Sequence, residues 1–183
     1  MGLVAPAASV TKSESIKDWG YQMNRRQIGL KLVLNELGVP QDLGTFDNRL
    51  VLQKAVYLAQ QADIPLGYHY SWYLRGPYSP ALTSDAYANI NCGTPDDWGI
   101  GDEIKAKIQK IKSFISSLLE SENPPREFEN LASVLFIIKT KQAAESETAA
   151  IVKKMLEAGK QIDESGVQST IEKLKKNGFL PKI

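Results

Sequence analysis

Cysteine and histidine each occur once in the 183 residues, and that scarcity removes whole classes of chemistry. With Cys92 alone no internal disulfide can form, which fits a reducing compartment and leaves only a bridge between two chains. There is no CxxC, no HExxH and no histidine cluster, so a zinc site would have to be built almost wholly from carboxylates. A Cys92–His69 dyad would need the two brought together beside a third, orienting group, and the sequence names none. No run approaches the roughly 18 apolar residues of a membrane-spanning helix, and the N-terminus lacks the basic region and long apolar stretch of a secretory signal. A cytoplasmic location without membrane attachment is the expectation. Twenty-two basic side chains against 21 acidic ones leave a formal +1, too little for a global field that gathers nucleic acid or anionic lipid. Neither a Walker sequence nor a GxGxxG follows a strand, so nothing argues for a nucleotide. No cofactor, no metal and no catalytic residue is assigned.

What remains is an ordinary globular composition, 43% apolar and 23% charged, enough for one domain with a sizeable core. Residues 1–22 lack patterning and read as a flexible leader. Apolar spacing predicts a helix over 24–37, stopped by Gly38 and Pro40. Asp47 is the expected N-cap of a second helix, in which Val51, Ala55, Leu58 and Ala62 form one stripe and Leu52, Val56 and Ala59 another. So wide an apolar face predicts central burial. The alternation from Tyr68 to Leu74 reads as a short strand whose partner is not visible, and Ser79-Pro80 as the cap and first residue of a helix to about Asn89. Asn91 to Gly101 reads as an irregular loop. Ile104, Ile108, Ile111, Ile115 and Leu118 share one helix face, read as a core stripe because the repeat is too short for a stable coiled coil. After Asn123-Pro124-Pro125, further helices are expected from about Phe128 to Lys141, over 147–158 and over 164–176, the last capped by Asp163. The fold class is mainly α: a compact bundle of about six or seven helices with one short aromatic strand or hairpin. It is divided into a helical domain over 23–122 and a C-terminal helical subdomain over 123–183 packed on it.

Most of the tyrosines, the histidine and Trp72 fall between Leu50 and Tyr87. Such amphipathic aromatics beside Gly76-Pro77 build a recognition surface or a packed corner more readily than a catalytic centre. Arg75 can stack on Tyr73 or Tyr78 while offering a fork to a carboxylate or phosphate, or it can close an internal ion pair with Asp85 or Asp63. Gly76 and Pro77 read as turn residues. Tyr57, Tyr70 and Trp72 suit the core, and Tyr73 and Tyr78 the surface. Lys54, on a strongly apolar helix, either snorkels out or meets a buried partner. The candidate partner-binding set is Tyr73, Arg75, Gly76, Pro77, Tyr78 and Ser79.

The order Leu52-Gln53-Lys54, Tyr57-Leu58, Gly67-Tyr68, then Tyr73-Leu74-Arg75-Gly76-Pro77-Tyr78-Ser79 and Leu82 resembles bacterial YwgA-like proteins of unknown function. More distantly it is similar to the Panacea domain of SocA-like antitoxins. The resemblance covers roughly 27–90 and extends more weakly through Leu131 to Phe136 and Asn177-Gly178-Phe179-Leu180. It implies a compact helical domain acting by protein contact, on a toxin or a defence effector. Arg75-Gly76-Pro77-Tyr78 is closer to the YwgA-like form than to the Gly-Pro-Val form of Panacea. The leading expectation is therefore a non-enzymatic protein-interaction module, antitoxin-like or an accessory of a defence locus.

Two alternatives are kept. Residues 131–183 hold nine lysines and six acids, and a final helix with Lys173, Lys175 and Lys176 could serve a winged-helix-like DNA-binding regulator. Glu164 and Glu172 dilute that charge, and a solvated surface is the plainer reading. A small hydrolase or transferase would centre on Lys54, Tyr73, Arg75 and Asp85, given a pocket that joins all four.

Overall fold

The computed structural model describes residues 3–4, 23–89, 92–93 and 97–181. Its described elements run β1 (Leu3–Val4), α1 (Arg25–Leu37), α2 (Phe46–Gln61), β2 (Ser71–Tyr73), β3 (Gly76–Tyr78), α3 (Pro80–Asn89), β4 (Gly99–Ile100), α4 (Asp102–Leu119), α5 (Pro124–Lys139), α6 (Thr148–Glu157) and α7 (Glu164–Lys176). The fold is mainly helical, with seven helices and an aromatic two-stranded antiparallel hairpin among the described residues. None of these helices is long and apolar enough to cross a membrane.

Helix ends follow local chemistry. Asn24 caps α1 in a reciprocal box with Gln27, and Gly38 closes it in the left-handed region at φ 72°. The cap of α2 is Thr45, not Asp47: Thr45 is extended and accepts from the Asn48 N–H, while Asp47 lies in the first turn against the positive helix end. Asn123 caps α5 ahead of two prolines, and Asp163 caps α7 through the Gly166 N–H.

α2 and α5 form the centre. Leu58, Ala55 and Ala59 of α2 and Phe128, Val134 and Leu135 of α5 are wholly buried, each large side chain stabilising the fold by roughly 1.5–3 kcal/mol. α1 packs with α4, α6 and α7 pack with each other and with α5, and β3 lies against both α2 and α5. The isoleucine stripe of α4 is core along its whole length. One apolar cluster takes residues from both sides of position 123.

The expected aromatic strand forms a hairpin, and its partner, not visible in the sequence, is Gly76–Tyr78: Ser71 faces Tyr78, Trp72 faces Pro77 and Tyr73 faces Gly76. The turn is therefore Leu74-Arg75, and Gly76 and Pro77 belong to the strand. Neither Leu74 nor Arg75 has positive φ, whereas Gly76 sits at φ +81°, the pattern of a tight turn followed by a glycine bulge. Proline is tolerated at Pro77 because a two-stranded hairpin leaves it on an edge. The reading of 91–101 as wholly irregular also fails, since Gly99–Ile100 pairs with Leu3–Val4. Those two residues are likewise the exception to the patternless reading of 1–22, the rest of which lies outside the described residues.

Candidate functional site

The hairpin is held from below by the two polar side chains, Gln53 and Lys54, of the otherwise apolar buried run 50–59 of α2. Gln53 donates through Nε2 to the Ser79 carbonyl at 2.9 Å and to Thr83 Oγ1 at 2.8 Å, and its Oε1 accepts from the Ser79 N–H at 3.1 Å. Lys54 Nζ donates to the Pro77 carbonyl at 2.7 Å. Side chains of α2 thus satisfy backbone groups that a third strand would otherwise take. On the other side Gly76 lies against Ser133 of α5, closely enough that a Cβ there would come within 2.2 Å of Ser133 Oγ.

This support leaves the tip exposed. Tyr73 is 58% and Leu74 74% exposed, and together with Phe46 and Tyr87 they are four of the five large apolar side chains exposed among the described residues. All four line one cavity of about 350 Å³, closed by Arg49, Leu50, Gln53, Lys54, Arg75, Gly76, Tyr78 and Thr83. Tyr73 and Tyr78 pack with ring centroids 5.5 Å apart, and the Arg75 guanidinium stands 5.9 Å from the Phe46 ring.

Arg75 pairs with neither Asp85 nor Asp63. Its Nη1 reaches Glu129 Oε2 of α5 at 3.3 Å, with the arginine side chain still 58% exposed. Glu129 is nearly buried and also accepts from the buried Lys160. Two cations, Arg75 and Lys160, therefore share one carboxylate, and Lys54 feels all three charges through space. Burial, first, and then the positive Lys160 hold the Lys54 ammonium down to about 7, with Arg75 acting the same way and Glu129 opposing. Burial likewise lowers Lys160, against the pull of Glu129.

The sign of the resulting pH dependence follows directly. Folded Lys54 loses its proton near 7 and unfolded lysine near ~10.4, so the unfolded chain binds more protons in between and stability rises with pH across that window. Tyr57, Tyr68 and Tyr70 are pushed upward by burial, which opposes the rise near the top of the window, to the same extent with or without Lys54. Unfolding free energies measured by urea titration from about pH 7.5 to 9.5 should climb more steeply in the wild type than in Lys54→Met, by about 1 kcal/mol per pH unit. Parallel profiles would show that Lys54 keeps its proton in the fold.

The remaining sequence candidates divide. Pro77 and Ser79 are buried and serve the hairpin; Gly76 is buried at the cavity wall. Lys54, Tyr73 and Arg75 share the cavity, but Asp85 does not join them. It accepts from Arg26 Nε at 2.6 Å, Gln27 Nε2 at 2.9 Å and the Tyr68 hydroxyl at 3.0 Å, which ties α3 to α1. The four-residue centre of a hydrolase is therefore not assembled. Lys173 is paired with Glu127 at 2.7 Å and Lys175 with Glu145 at 3.4 Å. The broad concavity of about 950 Å³ beside Lys173 is lined by Glu122, Glu127 and Asp163 as well as Arg126, so its charge is mixed.

Glu129 and Lys160 escaped the sequence reading. The available signal for Glu129 was an acid set between Phe128 and Leu131 on an apolar face; Lys160 follows a glycine and carries no signal. Comparison of the chain with protein-family models, curated proteins and solved structures finds no match.

Proposed function

We propose that this chain is a protein-interaction module that takes an apolar side chain of a partner, flanked by carboxylates, into the cavity beside the β2–β3 hairpin. The observation that carries this is the convergence of Phe46, Tyr73, Leu74 and Tyr87 on one cavity. Exposed apolar groups scattered singly are normal, whereas a contiguous patch around a concavity favours a visitor. The volume suits one large side chain, and aromatic and arginine residues are the groups that dominate protein interfaces.

The charge of the site selects the flanks. Arg49 and Arg75 line the cavity and no aspartate or glutamate does, so an acidic flank is complementary and a basic one is repelled. Arg75 gives Glu129 a single long contact at 3.3 Å, which leaves guanidinium donors for a second carboxylate. The residue resemblance supports a toxin or defence effector as the partner class, with the chain antitoxin-like or an accessory of a defence locus.

A displayed library of short peptides, each with one central apolar residue and randomised flanks, tests the reading. Selection on the wild-type protein should enrich aromatic or leucine centres beside Asp or Glu. Affinity for the selected peptides should fall at least about tenfold in Leu74→Glu and in Arg75→Glu. Enrichment of basic flanks, or equal binding by both variants, would overturn it. So would a wild-type dimer in sedimentation velocity that Leu74→Glu dissociates, since the surface would then belong to a second copy.

A further inference from the structure

One residue lining the same cavity, Lys54, carries a buried amine that docking does not require. Lys54 is 2% exposed, yet it shares the cavity wall with Phe46, Leu50, Tyr73 and Leu74. Among the described residues Nζ makes one hydrogen bond, to the Pro77 carbonyl. An ammonium there would leave two N–H groups without an acceptor, a costly arrangement at such burial. The carboxylate that acts on it through space, Glu129, is already engaged by Arg75 and Lys160. A neutral amine needs only the one acceptor and keeps a lone pair.

We propose that Lys54 is a reactive amine that captures a carbonyl compound entering this cavity. The class of ligand follows from the walls: an aldehyde or ketone with an aromatic body, which Phe46, Tyr73, Tyr78 and Tyr87 can flank, and an anionic tail for Arg49 or Arg75. In the step, the Nζ lone pair forms a bond to the carbonyl carbon and the π pair goes to oxygen, which takes up a proton. The nitrogen then loses its proton, and the carbinolamine expels water to leave an imine. Amine and carbonyl give imine and water, with no change of oxidation state. Apolar walls restrict the water that would reverse it.

The electrostatics act in the same direction. The groups acting on Lys54 are Lys160 after α6, Arg75 at the hairpin tip and Glu129 on α5, and burial together with the first two holds its pKa to about 7. At neutral pH it is neutral in a large fraction of molecules, against about one in 2,500 for an ordinary lysine.

The test uses the wild-type protein with 4-carboxybenzaldehyde and cyanoborohydride at neutral pH, the hydride donor fixing any imine as a stable secondary amine. Peptide mapping should find Lys54 labelled at least about tenfold above exposed Lys105, Lys110 or Lys153. Its initial rate should level off above about pH 7.5 while theirs keeps climbing. The preference should vanish in concentrated urea and the label should be absent from Lys54→Arg. Labelling of Lys54 at or below the level of exposed lysines in the folded protein would overturn the proposal. No partner protein enters this experiment, so its failure leaves the docking reading untouched.

Discussion

Replacing Gly76 by alanine is expected to destabilise the protein by about 3 kcal/mol, read as a lower midpoint in urea unfolding. Two costs add. At φ +81° a residue with a Cβ is strained, by about 1 kcal/mol or more. That Cβ would also lie 2.2 Å from Ser133 Oγ and 3.3 Å from Ser133 Cβ, against a side chain wholly buried in the central helix. The hairpin would have to lift from α5, which disturbs the hold of Lys54 on Pro77 and of Arg75 on Glu129. The two costs can be separated. Ser133 Oγ is buried without a hydrogen-bond partner, so Ser133→Ala alone should change stability by less than about 1 kcal/mol. Combined with Gly76→Ala it should restore about 1–2 kcal/mol by removing the clash while the backbone strain persists. A cost below about 1 kcal/mol for Gly76→Ala, or strict additivity in the double variant, would show that the strand stands off from α5 in solution.

The second large effect is expected at Asp85. Its carboxylate is 4% exposed and accepts three hydrogen bonds, from Arg26, Gln27 and Tyr68, with the Arg26 guanidinium also 5.0 Å from the Tyr68 ring. Asp85→Ala removes the acceptor and leaves the buried Tyr68 hydroxyl and the Gln27 amide without it. A loss of about 3 kcal/mol follows, since the cost lies in the buried Tyr68 hydroxyl left stranded as well as in the bonds lost. Arg26 is partly exposed and recovers water, which keeps the figure below that of a sealed ion pair. Asp85→Asn should lose less, because its amide oxygen still accepts from Tyr68. Urea unfolding of the two variants beside Tyr68→Phe orders the terms. Equal stability of wild type and Asp85→Ala would mean that α1 and α3 are joined by apolar packing alone.

These two sites bear differently on what a sequence can disclose. Both rest on pairs far apart in the chain, Gly76 with Ser133 and Asp85 with Arg26. Glycine next to proline reads as a turn residue at Gly76, and Asp85 reads, with Asp63, as a carboxylate that could close the corner by pairing with Arg75. The contact that does hold Arg75, Glu129, lies on a helix whose period announced only its apolar face. Lys54 was recognisable as anomalous from its neighbours Leu52, Ala55 and Val56, but whether its amine reached solvent or a carbonyl depended on where β3 would lie.

The helices were determined by the sequence itself, because their signals are local: apolar residues at helical spacing, Ser79 before Pro80, Asp163 before α7, and Gly38 and Asn177-Gly178 as stops. The tertiary structure alone decided that Gly76-Pro77 is a strand, that Arg75 and Lys160 share Glu129, and that Phe46 and Tyr87 meet the hairpin tip around one cavity. Backbone preference acts over a few residues and is written in adjacent side chains. Which distant polar groups satisfy one another depends on how the helices pack, and here the apolar core shared by α2 and α5 sets that packing.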